Sequence, residues 1–131
     1  MIGLDTNVLV RYIADDDAKQ SPKAMALIES LSAEAPGYVT TVSVIELVWV
    51  MQSCYSMSRE AVAAVLAQIL RTKELVVENA EVVWRAIRLF ANGKADFADC
   101  LIERSAAAAG CSDVYTFDRA AATSGGMRLI A

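Results

Sequence analysis

Short apolar runs that alternate with longer segments of helical periodicity are the feature that most restricts the fold of this chain. The first run ends at Asp5, and the segment after it repeats apolar residues every three to four positions, as a helix does. The predicted strands are 2–4, 38–40, 75–77, 114–117 and 127–130. Strands that alternate with helices form a parallel sheet covered on both faces, so the sequence predicts an α/β fold.

Local signals predict where several helices begin and end. Pro22 lies at the start of the second helix, and Ser58 opens the fourth. Ser43 is predicted to cap the third helix, with Glu46 three residues later in the spacing of a capping box. Gly110 is predicted to end the helix that starts near Asp96.

Length and composition predict a single cytoplasmic domain over 1–131. The chain has 131 residues, of which 56% are apolar, enough for one buried core. Apolar positions start at Ile2, which argues against a signal peptide, and the most apolar stretch, 38–51, is too short to cross a membrane. The three cysteines form no CxxC pair, so reduced thiols are expected.

The absence of histidine excludes much catalytic chemistry. The sequence contains no His, which removes Ser-His-Asp and Cys-His nucleophiles and histidine-bound zinc. A catalyst must then use carboxylates, hydroxyls, lysines or a hard metal ion. The net charge of −4 argues against a nucleic-acid partner, but acids that hold divalent cations would offset that charge. Composition alone leaves the partner open.

Two aspartates follow predicted strands directly. Asp5 comes after the first strand and Asp118 after the fourth. In parallel α/β folds, ligands bind where strands end, so these positions are candidates for a functional site. Asp5, Asp96 and Asp118 also precede helices, where aspartate is a favoured cap, and capping is the competing interpretation at each of them.

Glu46 is the only charged residue between Glu34 and Arg59. The helix around it is apolar on nearly all sides, so the sequence predicts that its carboxylate is largely buried. A buried carboxylate normally finds a cation or a metal. The capping box with Ser43 is the alternative.

Asp96 and Asp99 share one face of the first turn of a predicted helix. Their charges repel, and a shared cation would relieve the repulsion. Capping accounts for Asp96 well and for Asp99 poorly. Oxygen ligands without His or Cys favour Mg²⁺ or Mn²⁺, which generate hydroxide from bound water and suit phosphodiester hydrolysis.

Four motifs in register resemble those of PIN-domain nucleases, most closely the VapC-type toxins of toxin–antitoxin pairs. They are Leu4-Asp5-Thr6-Asn7-Val8-Leu9, Ser43-Val44-Ile45-Glu46, Asp96-Phe97-Ala98-Asp99-Cys100-Leu101-Ile102 and Thr116-Phe117-Asp118. The resemblance covers essentially the whole chain. It implies an α/β/α sandwich around a central, mainly parallel five-stranded sheet, with an acidic pocket that binds Mg²⁺ or Mn²⁺.

The resemblance also implies roles for individual residues. Asp5, Glu46 and Asp99 match the three core acids of the family, and Asp118 matches a fourth, more variable one. Asp96 matches an additional aspartate of some members. Thr6, Asn7 and Ser43 match polar positions that orient ligands or water. The family further implies cleavage of single-stranded RNA to leave a 5′-phosphate, a homodimer, and inhibition by a cognate antitoxin.

Other interpretations compete with the nuclease. A haloacid-dehalogenase phosphatase needs a second aspartate where this chain has Asn7, and a receiver domain needs its aspartate after a middle strand, where this chain has Glu78-Asn79. A catalytically inactive PIN-fold scaffold is the main alternative. The aromatic residues Tyr12, Trp49, Trp84 and Phe90 are predicted to lie in the core or on a dimer surface, and Arg11 and Arg104 to contact phosphate or solvent.

Overall fold

The computed structural model describes residues 1–130, and its strands lie where the apolar runs predict them. All strand pairs are parallel, which confirms the α/β class. The strands form one sheet of order β1-β2-β3 and another of β4 and β5, rather than one sheet of five. Three strands are only two residues long, so their ladders are short. The strands are β1 Ile2–Gly3, β2 Gly37–Val39, β3 Leu75–Val77, β4 Tyr115–Thr116 and β5 Arg128–Leu129.

Helices follow the strands, and the described chain divides into two compact units. The first comprises 1–57 and 68–78, and the second comprises 58–67 and the described residues from 79 onward. The prediction of one domain over 1–131 stays a prediction, and its last residue lies outside the described part. The helices are α1 Thr6–Ala14, α2 Gln20–Glu29, α3 Thr41–Ser53, α4 Arg59–Arg71, α5 Ala80–Ala91, α6 Phe97–Ala108 and α7 Arg119–Ser124.

In the first unit, apolar side chains of α1, α2 and α3 form the core beside the three-stranded sheet. Val39 on the central strand β2 is fully buried, and Leu9 and Leu47 are almost so. Gly37 leaves room for neighbouring apolar side chains, since an added Cβ would come within 2.7 Å of the Leu4 side chain. Burial of each large aliphatic side chain contributes about 1.5–3 kcal/mol. This core fixes α1 and α3, which carry Asp5 and Glu46 at or near their starts.

The start of α3 differs from the predicted capping box. Thr40 is the N-cap, and its Oγ1 accepts a hydrogen bond of 3.1 Å from the Ser43 backbone N–H. Ser43 is buried in the first turn and does not cap the helix, so that prediction was wrong. Glu78, which follows β3, accepts a hydrogen bond of 2.8 Å from the Thr41 N–H through Oε1. Hydrogen bonds from Thr41 hold the pKa of Glu78 below its usual value.

In the second unit, two aromatic rings anchor α5 and α6. Phe90 and Phe97 are buried, with centroids 5.6 Å apart and planes at 87°, an edge-to-face contact. Cys100 lies in the same core, and burial raises the pKa of its thiol to about 11, so the thiol stays protonated. Cys54, Cys100 and Cys111 are all unpaired, as predicted.

Gly110 ends α6 as the sequence predicts. Its φ of 97° lies in the left-handed region, where a residue without Cβ is favoured. The N–H groups of Gly110 and Cys111 donate to the carbonyls of Ala107 and Ala106, at 3.0 Å each. These two bonds form a Schellman motif, which satisfies carbonyls that the helix leaves unpaired.

Arg59 holds the segment that precedes α6. Its Nη1 donates to the carbonyls of Phe90 at 3.1 Å and Ala95 at 2.6 Å, and its Nη2 donates to the Lys94 carbonyl at 2.7 Å. The guanidinium also lies 4.5 Å from the centroid of the Phe90 ring, in a cation–π contact. One side chain therefore ties the end of α5 to the start of α6, which sets where Asp96 and Asp99 lie within this unit.

Across residues 1–130, no helix combines the length and the apolar character that a bilayer span requires.

We expect Arg59→Ala to lower the free energy of unfolding by at least about 2 kcal/mol, because the side chain donates three hydrogen bonds and a bond from a charged donor contributes about 1.5–3 kcal/mol. Arg59→Lys should recover only part of the loss, since an ammonium lacks the planar fork. Urea unfolding measures both variants.

Arg85→Ala is the matched control. Arg85 makes an exposed ion pair with Glu81 at 3.7 Å, and such pairs contribute about 0.3–0.5 kcal/mol. Equal losses at Arg59 and Arg85 would contradict the role assigned to Arg59.

Candidate active site

The first unit presents Asp5 at the junction of β1 and α1. Its backbone is extended, and Oδ1 accepts a hydrogen bond of 2.9 Å from the Thr6 N–H. The capping interpretation is therefore correct at Asp5. A cap occupies one carboxylate oxygen in one bond, which leaves the group able to bind a further ligand.

Glu46 is exposed, so the prediction of a buried carboxylate was wrong. The reason is that one face of α3 is not covered, although it is apolar: Val42 is 66% and Trp49 is 64% exposed. Glu46 Oε1 accepts a hydrogen bond of 2.8 Å from the hydroxyl of Thr6, which is itself buried. This bond joins the start of α1 to α3 and orients the Glu46 carboxylate toward the end of β1.

A cleft of about 510 Å³ collects these groups. Asp5, Thr6 and Glu46 line it, and so does Asn7, one of the polar residues that the sequence singles out. Ser43 is not among the lining residues; its hydroxyl instead accepts a hydrogen bond of 3.2 Å from Thr40 Oγ1. The first unit thus places two carboxylates, a hydroxyl and an amide around one opening.

The second unit presents three aspartates at the starts of α6 and α7. Asp96 occupies the N-cap position of α6, but its side chain makes no capping hydrogen bond. Asp99 follows in the first turn of α6. Asp118 caps α7, with Oδ1 accepting a hydrogen bond of 3.1 Å from the Ala121 N–H. Capping therefore explains Asp118, and it explains neither Asp96 nor Asp99.

The charges of Asp96 and Asp118 act on the third aspartate of the second unit, Asp99. Partial burial raises the pKa of Asp99 above its usual value, and the negative charges of Asp96 and Asp118 raise it further. No cationic side chain of the described residues contributes to this shift. A carboxylate held among others without a counter-charge is the arrangement that a cation stabilises most.

The chemistry of the donors fits a hard divalent cation, although a complete ligand set is not preassembled. Among residues 1–130, no group of three or more His, Cys, Asp or Glu side chains is arranged to hold a metal ion. The side chains at issue are carboxylates and hydroxyls, which are ligands that Mg²⁺ and Mn²⁺ prefer. The predicted ring of Asp5, Glu46, Asp96, Asp99 and Asp118 stays a prediction.

The structure also shows where residues outside the set of acids lie. Glu78 supports the start of α3, and its position directly after a strand, like that of Asp5, was a usable signal. Trp49 was expected in the core or on a dimer surface, and its large exposure excludes the core. Arg11 and Arg104 are engaged within the chain: Arg11 Nε donates to Gln20 at 2.7 Å, and Arg104 pairs with buried Glu103.

We expect Asp99→Asn to raise the free energy of unfolding at neutral pH in a metal-free buffer. Because its pKa is raised in the fold, ionised Asp99 destabilises the folded state at pH values above both its folded and unfolded pKa. The advantage of the variant should vanish as the pH falls below about 4, where the carboxyl is protonated in both states. Urea unfolding across this pH range measures the difference.

Asp113→Asn is the control from the same unit. Asp113 pairs with Arg128 at 3.3 Å on the surface, so its loss should leave stability unchanged or slightly lower it. If Asp99→Asn were less stable than the wild type at neutral pH, the negative charge of Asp99 would already be stabilised by other groups of the fold, which would contradict the prediction.

Comparison with known proteins identifies the family of the chain. The model of the PIN domain family matches residues 2–123, a range that includes all five acids. A VapC ribonuclease from Aquifex aeolicus (strain VF5) is 28% identical over 116 residues, which cover 88% of this chain and 86% of that protein. No solved structure matches the chain significantly. The chain belongs to the PIN domain family.

Proposed function

We propose that this protein is a ribonuclease that hydrolyses RNA phosphodiester bonds with Mg²⁺ or Mn²⁺, and that it is the toxin of a VapBC-type pair. The observation that carries the proposal is the family match, which spans the acids of both units. The similarity to a protein named VapC ribonuclease supports RNA as the substrate. We further propose a cytoplasmic location, a homodimer and a cognate antitoxin as partner, all of which the family resemblance implies.

The carboxylates are proposed to hold the divalent cation. Asp5 and Glu46 would do so from the first unit, and Asp99 with Asp96 and Asp118 from the second. A cation held by these residues would lower the pKa of a bound water near neutral pH and would offset charge on the phosphate. The absence of histidine supports this scheme, since the chain then needs no imidazole base.

The remaining polar groups are proposed to position the acids. The hydrogen bond from Thr6 engages one carboxylate oxygen of Glu46, which lines the cleft, and so orients the carboxylate. Asn7, on the first turn of α1, offers an amide that can donate to a phosphate oxygen and accept from water. Glu78 and Thr40 hold the start of α3, and therefore act on Glu46 only through the helix.

We expect the purified protein to degrade single-stranded RNA when Mg²⁺ or Mn²⁺ is present and to stop when EDTA is added. Asp5→Asn, Glu46→Gln and Asp99→Asn should each lose at least about 100-fold in rate, since even residues that only orient metal ligands contribute about 10–100-fold. Thr6→Val should lose about 10–100-fold in rate, because Thr6 orients the carboxylate of Glu46. Gel-based cleavage assays with circular dichroism as a folding check measure all four variants.

Asp113→Asn serves again as the control and should cleave at the wild-type rate. Cleavage that survives EDTA, or wild-type rates in the three carboxylate variants, would contradict the proposed mechanism. A folded, metal-supplied wild type that leaves RNA intact would favour the inactive PIN-fold scaffold.

A further inference from the structure

Trp49 is exposed where a buried indole would be expected. It is 64% exposed on α3, although tryptophan is usually well buried because it carries one of the largest apolar surfaces of any residue. Glu46 lies three residues before it, so the two side chains project from the same face of the helix, about one turn apart. An exposed indole beside a candidate catalytic carboxylate points to a ligand that uses both.

The cleft of the first unit is lined by both the indole of Trp49 and the carboxylates. Trp49 lines it together with Asp5, Thr6, Asn7 and Glu46. Ile45 and Val50 also line it and flank the indole with aliphatic surface. The volume of about 510 Å³ falls in the range of sites that hold small organic groups. The lining of the cleft therefore combines two carboxylates with aromatic and aliphatic side chains.

A nucleobase is the occupant that these surfaces favour. The chain carries a net charge of −4, so electrostatic attraction to phosphates is a weak source of affinity. Base–aromatic stacking does not depend on net charge and contributes about 1–3 kcal/mol per base. An indole next to the acids supplies the affinity that the charge of the chain does not supply.

A second cleft, next to the first, offers room for the next nucleotide of an RNA strand. Its volume is about 300 Å³, and Asn7 lines it as well as the first cleft. Arg11 and Lys23 also line it, and Lys23 is exposed. Arg11 is shared with Gln20 and with Asp16, the latter at 3.7 Å, which leaves Lys23 as the freer cation. Lys23 thus places positive charge in a cleft that shares Asn7 with the acidic one, where it can contact a phosphate of the same RNA.

We propose that Trp49 is a base-stacking residue of the substrate cleft, which holds an unpaired nucleobase of single-stranded RNA beside Asp5 and Glu46. The inference rests on the proposed function and names a binding surface for it. Stacking requires a base whose face is free, so this surface selects single-stranded over duplex RNA. It distinguishes little between bases, since each has a face that can stack.

The two tryptophans of the chain make a direct test possible. Trp84→Phe leaves Trp49 as the only indole, and Trp49→Phe leaves only Trp84. Both are placed in an Asp99→Asn background, so that the RNA is not cut, and titrated with a short single-stranded oligoribonucleotide in Mg²⁺. We expect the fluorescence of Trp49 to be quenched on binding and that of Trp84 to stay unchanged.

The test is completed by the RNA affinity of Trp49 variants and by a ligand that lacks a base. Trp49→Ala should weaken RNA binding about 5- to 100-fold, which corresponds to the stacking range, and Trp49→Phe should weaken it less. An abasic strand with the same phosphates should leave Trp49 fluorescence unchanged. Because Trp49 is exposed, both variants should fold normally, which circular dichroism checks.

Three outcomes would overturn the inference in different ways. Unchanged affinity in Trp49→Ala, with RNA still cleaved, would remove the stacking role and leave the proposed function standing. Loss of a dimer in Trp49→Ala without any change in RNA affinity, measured by sedimentation, would assign this face to a second copy of the chain. A wild type that neither binds nor cleaves RNA would remove the proposed function itself.

Discussion

Repulsion among carboxylates at the helix starts of the second unit is the constraint on which the functional account depends. Asp99 is partly buried, and the charges of Asp96 and Asp118 act on it, so its proton is held more tightly than in water. A fold maintained only for stability would remove such a group or pair it with a cation. Instead, the positively charged Arg59 of that unit is directed at backbone carbonyls and at the Phe90 ring. We propose that the acids instead bind a cation from outside the chain.

In the first unit, hydrogen bonds hold the start of α3 and orient the carboxylate of Glu46. Thr40 and Glu78 satisfy N–H groups at the start of α3, and the Thr6 hydroxyl reaches across from α1 to Glu46. Only the bond from Thr6 involves Glu46, and it engages one of the two carboxylate oxygens. The helix then leaves Val42 and Trp49 exposed beside it. The buried side of α3 stabilises the fold, and its uncovered side presents an acid next to an aromatic surface.

Much of the fold was predictable from local pattern, because short apolar runs and helix end signals are local properties. All five strands and the Schellman end at Gly110 lie where the sequence predicts them. Their division between two sheets was not predictable, since strand pairing is set by tertiary contacts. The start of α3 was misassigned because Ser43 and Thr40 are both good caps, and only the backbone decides between them.

In the candidate site, too, some features were predictable from the sequence and others were not. The spacing indicated that capping explains Asp99 poorly, and Asp99 indeed lies in the first turn of α6 rather than at its N-cap. The burial of Glu46 was predicted from an apolar helix, and it was wrong because the face of α3 that carries Val42 and Trp49 is apolar but uncovered. Trp49 was not recognised as a functional candidate, since an aromatic residue at helical spacing looks the same in sequence whether it is buried or exposed.

The central claim is that acids of both units act on the same chemical step, and a double-mutant cycle on single-turnover RNA cleavage tests it most directly. Asp5→Asn, Asp99→Asn and the double variant are compared with the wild type in saturating Mg²⁺. Residues that act as a unit show strongly non-additive losses. The account predicts that the double variant is about as slow as the slower single variant. Losses that multiply would show that the two acids contribute independently, which would contradict the account.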